Sequence, residues 1–283
     1  MRRCREMRFE SCVVAALLAS AAGCAHGPAA GDAAAALPIL AATREELVRR
    51  VDADAAAVAS VKGTLAVAFA ERAGGDPRSC SAVLVARAPR PAEEAAGLYL
   101  KGYRALVPTL FTLVSDGRTF WLHVPRDNVV YTGPVASRGA AAVRGVRLEA
   151  GDLFRALFLQ PLGGAEALEV AEEPSAYVVS ARRAGRVARR LWIERRRFTV
   201  EREAYYDAEG REEVSIDRER FVDAGGHLYP ERLRVRDAVT GASVTLRFEK
   251  LAVNPTDVRA EAFRPRTPAG ARVVAVGGGG NAT

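Results

Sequence analysis

Apolar and polar residues alternate along most of this chain, with the period of two that marks half-buried strands. In VSDGRTFWLHVPRDNVVYTGP (Val114–Pro134), Phe120, Leu122 and Val124 alternate with Thr119, Trp121 and His123. Asp116–Gly117 is a tight hairpin signal, and Arg126–Asn128 is a second, polar turn. The pattern predicts strand, turn, strand, turn, strand, with unusually apolar and aromatic surface on one side of the sheet.

The same alternation recurs before and after this stretch. KGTLAVAFAER sets Leu65, Val67 and Phe69 on one face. SCSAVLVARAP follows and stops at Pro89. AGLYLKGY carries Leu98 and Leu100 opposite Tyr99, and VPTLFTLVSDG carries Phe111 and Leu113. Later segments from EALEVAEEP to ASVTLRFEKLAVN repeat the pattern, with turns at Asp207–Gly210, Gly225–Gly226 and Thr240–Gly241. A dozen strands, roughly, is the reading. A sheet of that size must curl, close or be covered at its edges.

Two segments change to helical spacing. In TREELVRRVDADAAAVASV, Thr43 and Glu46 form a capping box, and Leu47, Val48, Val51, Ala55 and Val58 make a stripe. In LEAGDLFRALFLQPLGG, Asp152 reads as the N-cap of a short, very apolar helix. Leu153, Phe154, Leu157 and Phe158 share one face, and Pro161 and Gly163 end it. The second helix interrupts the meander at mid-chain.

The front end is not part of this pattern. Residues 1–10 carry Arg2, Arg3, Arg5 and Arg8, and an apolar run with small residues leads to Cys24. That is the layout of a secretory signal over 1–23, too short to span a bilayer. Ser20, Ala21, Ala22 and Gly23 before Cys24 resemble a bacterial lipobox, with Ala21 where leucine is commonest. The resemblance implies that Cys24 is lipidated and becomes the N-terminus. The alternative is an ordinary cut near Ala22 that leaves Cys24 a plain thiol. Residues 24–40 read as an Ala/Gly/Pro-rich tether, 41–274 as the folded domain, and 275–283 as a frayed tail. Cys80 is then a lone thiol, read as a small packed residue.

Charge narrows the field. The 283 residues carry a formal charge of +7; taking away the four arginines and two glutamates of the leader leaves +5. Arginine dominates, with Lys62, Lys101 and Lys250 the only lysines. The charges alternate in sign along strands, without the clustered basic face that nucleic acid requires. IERRRFTVERE reads as a solvated face that also protects a sheet edge.

The chemistry-bearing motifs give nothing to build an active site from. G-x-S-x-G, H-E-x-x-H and C-x-x-C are all missing from the sequence. The three histidines share no metal-ligand spacing. GGGG at Gly277–Gly280 opens no predicted helix, so it is not a phosphate loop. The reading is a non-enzyme without cofactor or metal.

The order of segments resembles a family. A helix precedes SVKGTLAVAF; then come LVSDGRTFWLHVPRDNVVYTG, the DLFRALF helix, RRLWIERRRFTVEREAYYDAEGRE and a closing AFRPRTPAGARVV. This pattern, over about Ala41 to Val274, is similar to the superfamily of the periplasmic lipoprotein carrier LolA and the outer-membrane lipoprotein acceptor LolB. The resemblance implies a mainly β fold: a strongly curved, incomplete antiparallel β-barrel of about 11–12 strands, with an N-terminal helix and a mid-chain helix as lid. It implies an apolar cavity for lipid or lipoprotein acyl chains, lined by Leu65, Val67, Phe69, Leu98, Leu100, Phe111, Leu113, Phe120, Leu122, Phe154, Leu157 and Phe158. Leu106 and Val107, before Pro108, match the place of the acceptor's membrane-contact loop; they are equally readable as buried strand ends. The implied setting is the outer membrane, anchored through Cys24 and facing the periplasm. The bland alternative is a filled core, in an envelope lipoprotein that works by docking a partner.

Overall fold

Each alternating segment forms a strand, and the strands join one sheet. The computed structural model describes residues 38–89, 96–135 and 150–276. Cys24, the leader, nearly all of the tether and the GGGG run lie outside the described residues. Pro38–Thr283 makes one compact unit.

Helix α1 (Arg44–Ala57) comes first. A meander follows: β1 (Ser60–Ala70), β2 (Arg78–Arg87), β3 (Gly97–Arg104), β4 (Val107–Ser115), β5 (Thr119–Val124) and β6 (Val129–Pro134). Helix α2 (Ala150–Leu157) separates it from a second meander. That one is β7 (Ala167–Glu172), β8 (Ala176–Arg183), β9 (Arg186–Glu194), β10 (Val200–Tyr206), β11 (Glu212–Asp223), β12 (Leu228–Asp237) and β13 (Ser243–Val253). A short β14 (Arg272–Ala275) closes the described chain.

The strand order is β14-β6-β5-β4-β3-β2-β1-β13-β12-β11-β10-β9-β8-β7, a single open, curved sheet of 14 strands. The expected incomplete barrel is there, with more strands than the 11–12 expected and one exception to antiparallel pairing. β14 lies parallel to β6. Its pairing continues past Val274: the Val276 N–H donates to the Thr132 carbonyl at 2.7 Å, and the Val276 side chain is buried.

The two meanders meet where β1 pairs with β13. The register shifts there between Thr64 and Leu65, and Gly63 lets the strands approach: a Cβ on it would stand 2.2 Å from the Lys250 carbonyl oxygen. Just beyond, Asn254 Oδ1 accepts from the N–H groups of Ala59 (2.7 Å) and Ser60 (3.1 Å), and its Nδ2 donates to the Ala57 carbonyl. One side chain thereby joins the end of α1 to the start of β1.

The registers fix two ends of the sheet. The upper end carries the turns between β1 and β2, β3 and β4, β5 and β6, and β12 and β13; the lower end carries Asp116–Arg118 and the turns after β9 and β11. Both helices cover the inner face. The capping box of α1 forms as the sequence predicts, with the Glu46 N–H donating to Thr43 Oγ1 and the Thr43 N–H to Glu46 Oε2. Leu47 and Val51 of α1 pack with Tyr177, Val179, Leu191 and Ile193 of β8 and β9. Val58 lies just beyond the helix, as its C-cap. Asp152 is no N-cap: α2 already includes Ala150, and the buried Asp152 carboxylate pairs with Arg155 one turn on, at 2.9 Å.

Candidate functional site

The largest apolar layer lies on the inner face between α2 and the strands β1–β5, β12 and β13. Period-two alternation supplies its floor. Leu65 and Val67 on β1, Leu98 and Leu100 on β3, Leu113 on β4 and Phe120 on β5 are all buried. Helical spacing supplies its cover: Phe154, Leu157 and Phe158 are buried against that floor. Phe69, Phe111 and Leu122 complete the set of sequence-predicted lining residues and pack against the same layer. The structure therefore brings all twelve together.

Burial within the layer is graded. Leu65, Val67 and Leu98 are fully inaccessible, whereas Phe69, Phe111 and Leu122 are half-buried. Phe69 and Phe111 meet edge to face with centroids 5.9 Å apart, and Cys80 and Tyr131 are half-buried against the same layer. These half-open positions lie towards the upper end of the sheet. Burial raises the Cys80 thiol pKa, and so disfavours its thiolate.

Directly above this rim, the β3–β4 hairpin turns at Ala105–Leu106. Leu106 is 95% exposed and Val107 42%. They are a projecting tip, not buried strand ends. Arg104 braces the tip by donating to the Ser79 carbonyl from Nε (3.1 Å) and Nη2 (2.6 Å).

A buried polar network borders the apolar layer on the β9–β11 side. Glu203 on β10 is fully buried and pairs with Arg189 on β9 and with Arg218 on β11, the latter at 3.2 Å. Burial alone would raise the Glu203 pKa; Arg218 and Arg189 outweigh it and hold the carboxyl below its usual range. The arginines also reach the cover. Arg218 donates to the Arg155 carbonyl (2.9 Å), Arg189 to the carbonyls of Gln160 (2.9 Å) and Pro161 (3.2 Å), and the Tyr229 hydroxyl to the Leu157 carbonyl (2.9 Å). Carbonyls at a helix C-terminus lack intrahelical partners, and positive charge there is favourable. The sheet thus caps α2 and the turn after it. Arg155 lies over the Tyr205 ring, 4.7 Å from its centroid.

Sequence reasoning missed this network. The IERRRFTVERE stretch is neither wholly solvated nor at an edge: β9 and β10 are interior strands, and Glu203 points inward. The outward half of the pattern does meet solvent, where Arg190 and Arg202 lie over Trp192.

A separate groove of about 540 Å³ runs beside α1, lined in part by Arg49, Arg50, Asp54 and Phe198. Glu46 adds a fourth charge, but Ala41, Ala42, Leu47, Ala53 and Phe198 make most of the lining surface apolar. Among the described residues no three His, Cys, Asp or Glu side chains are grouped to hold a metal ion, and no helix is long and apolar enough to cross a membrane.

No family model matches the chain, and no curated protein does. Solved structures do share its fold. A domain described as an outer membrane lipoprotein-sorting protein, from Vibrio parahaemolyticus, superposes with a TM-score of 0.57 at 11% identity, over 77% of this chain and 94% of that one. A DUF1329 family protein from Desulfovibrio piger gives 0.54 at 14% identity, over 77% and 96%. A LolA superfamily protein from Nitrosomonas europaea gives 0.52 at 14% identity, over 80% and 99%. The chain has the LolA-type fold: an open curved sheet with helices on its inner face.

Proposed function

We propose that the protein is a membrane-anchored, periplasm-facing lipoprotein that takes acyl chains of lipids or lipoproteins onto the inner face of its sheet. Cys24 carries the anchor, in the outer membrane, and Leu106 with Val107 touches the bilayer. The observation that carries the reading is the apolar layer under α2, with its half-open rim at Phe69, Phe111 and Leu122 beneath the exposed Leu106 tip. The likeness to a lipoprotein-sorting domain supports the fold such a role uses.

Uptake requires α2 to move off the floor, which uncovers Phe154, Leu157 and Phe158 and gives up four hydrogen bonds, three of them from arginine and worth about 1.5–3 kcal/mol each. A chain of a dozen methylenes gains about 0.8 kcal/mol per CH₂ in a dry apolar site. Hydrocarbon in place of Phe154, Leu157 and Phe158 offsets much of that cost. The work needs shape and dryness, not a nucleophile or a metal, so the protein acts as a carrier or acceptor rather than an enzyme.

One observation favours the alternative of a filled core in a partner-docking lipoprotein. With α2 in place, Leu157 and Phe158 are each only 2% exposed, so the layer is closed. Uptake of a fluorescent fatty acid separates the two. Saturable binding by the wild type and its loss in Leu122→Glu, with the fold intact by circular dichroism, is expected of acyl-chain binding. No uptake by the wild type is expected of a filled core.

A further inference from the structure

The two most exposed large apolar side chains among the described residues are Leu106, at 95%, and Val239, at 76%. Both occupy hairpin tips, and both tips are at the upper end of the sheet. We propose that Val239, at the β12–β13 turn, is a second membrane-inserting point, so that the sheet stands end-on to a lipid bilayer on two apolar tips. The proposal rests on the reading above for Leu106 and extends it to a defined docking surface.

Three features carry it. First, the tips are held relative to each other. Gly241 of the β12–β13 turn, at φ +72°, lies so close to the β1–β2 turn that a Cβ on it would stand 2.7 Å from the Ala73 nitrogen. The β3–β4 tip is tied to the start of β2 through Arg104 and the Ser79 carbonyl. Four strand spacings separate the two tips, about 19 Å along the sheet.

Second, the Val239 turn satisfies its own backbone N–H groups. Asp237 Oδ1 accepts from the N–H groups of Val239 (2.9 Å) and Thr240 (2.8 Å), the Gly241 N–H donates to the Asp237 carbonyl (2.9 Å), and Thr240 Oγ1 accepts from Ala242 (3.2 Å). A turn without free N–H groups enters a water-poor layer at a lower cost than an open one.

Third, the turns beside the two tips have little charge bias. Arg72, Arg78, Arg104 and Arg126 are exposed there, and so are Glu71, Asp76 and Asp127. Apolar insertion rather than charge attraction is the expected driving term, which distinguishes a bilayer from an acidic protein as the occupant.

The test uses Pro38–Thr283, the compact unit that contains every described strand and helix, and co-sedimentation with vesicles of phosphatidylethanolamine and phosphatidylglycerol. Leu106→Asp and Val239→Asp are each expected to weaken binding about tenfold. The double variant is expected to lose it, and salt is expected to change it little. Val222→Asp, at the lower end, serves as a control with no expected effect. Circular dichroism checks each fold. Equal binding by Val239→Asp and wild type overturns the proposal, as does an equal loss in Val222→Asp or no vesicle binding by the wild type. Fatty-acid uptake by the same proteins without vesicles is expected to be unchanged by the tip variants. Its absence from all of them would sink the acyl-chain reading while leaving a positive tip result in place.

Discussion

The Tyr229 hydroxyl on β12 donates to the Leu157 carbonyl at 2.9 Å, and both groups are buried. This bond ties the last turn of α2 to the floor of the apolar layer. Tyr229→Phe keeps the ring and its edge-to-face contact with Phe248, at 6.0 Å between centroids, and removes only the donor. It leaves a buried carbonyl short of a partner, at a cost of about 1–2 kcal/mol. Urea unfolding should show that loss. Hydrogen exchange should show faster opening of α2 than of β1, and fatty-acid uptake should speed up. An unchanged exchange pattern would mean that the bond does not hold the helix.

Among the described residues Glu203 is the carboxylate that pairs with both Arg189 and Arg218, and all three side chains are buried. Glu203→Gln leaves two buried guanidiniums without their counter-charge. Breaking such a pair from one side costs about 3–5 kcal/mol. The conservative Glu209→Gln, on an exposed turn, should change stability little.

The same carboxyl gives a pH dependence. Its folded pKa lies below the ordinary value of 4.5, because Arg218 and Arg189 outweigh the burial that opposes its charge. The unfolded chain therefore binds this proton more readily. The contribution of Glu203 is fully present above pH 4.5 and is lost as pH falls through the depressed folded value. Acid titration of the melting temperature should show this component in the wild type and not in Glu203→Gln. Parallel curves for the two proteins would place the acid sensitivity elsewhere.

Gly63 sits at the join of the two meanders. Gly63→Ala puts a methyl 2.2 Å from the Lys250 carbonyl oxygen, which is backbone and cannot turn aside. Spreading β1 from β13 should destabilise the fold by about 2–4 kcal/mol. Gly164→Ala, with nothing within 4 Å of the added carbon, is the matched control and should be near neutral. Equal melting temperatures for the two variants would count against the tight join.

How much of this was legible in the sequence follows from the range over which each feature is determined. The α1 capping box depends on Thr43 and Glu46, three residues apart, and it forms as read. The twelve residues that the resemblance implies as lining fall on apolar faces by local alternation and helical spacing, and they meet in one layer because α2 covers one face of the sheet. The sequence pattern makes Glu203 look solvated, because charge alternation has the same appearance whether the inward positions are apolar or paired. Its partners Arg189 and Arg218 are 14 and 15 residues away, on two different strands. Asp152 illustrates a local ambiguity: the same residue type suits an N-cap or an i,i+3 pair with Arg155, and burial under the sheet decides for the pair. β14 was not legible, since its four residues pair with β6 across more than 130 positions of chain. The Leu106 tip was open to two readings until the β3–β4 register fixed the turn.

If the protein carries acyl chains, hydrocarbon occupies the layer under α2. The most direct measurement is the native mass spectrum of the protein from Ala25 onward, purified from a bacterial host without detergent. Acyl-chain binding predicts an adduct of lipid mass that organic extraction removes and that Leu122→Glu does not carry. A clean apo mass that takes up neither added lipid nor acyl peptide would contradict it.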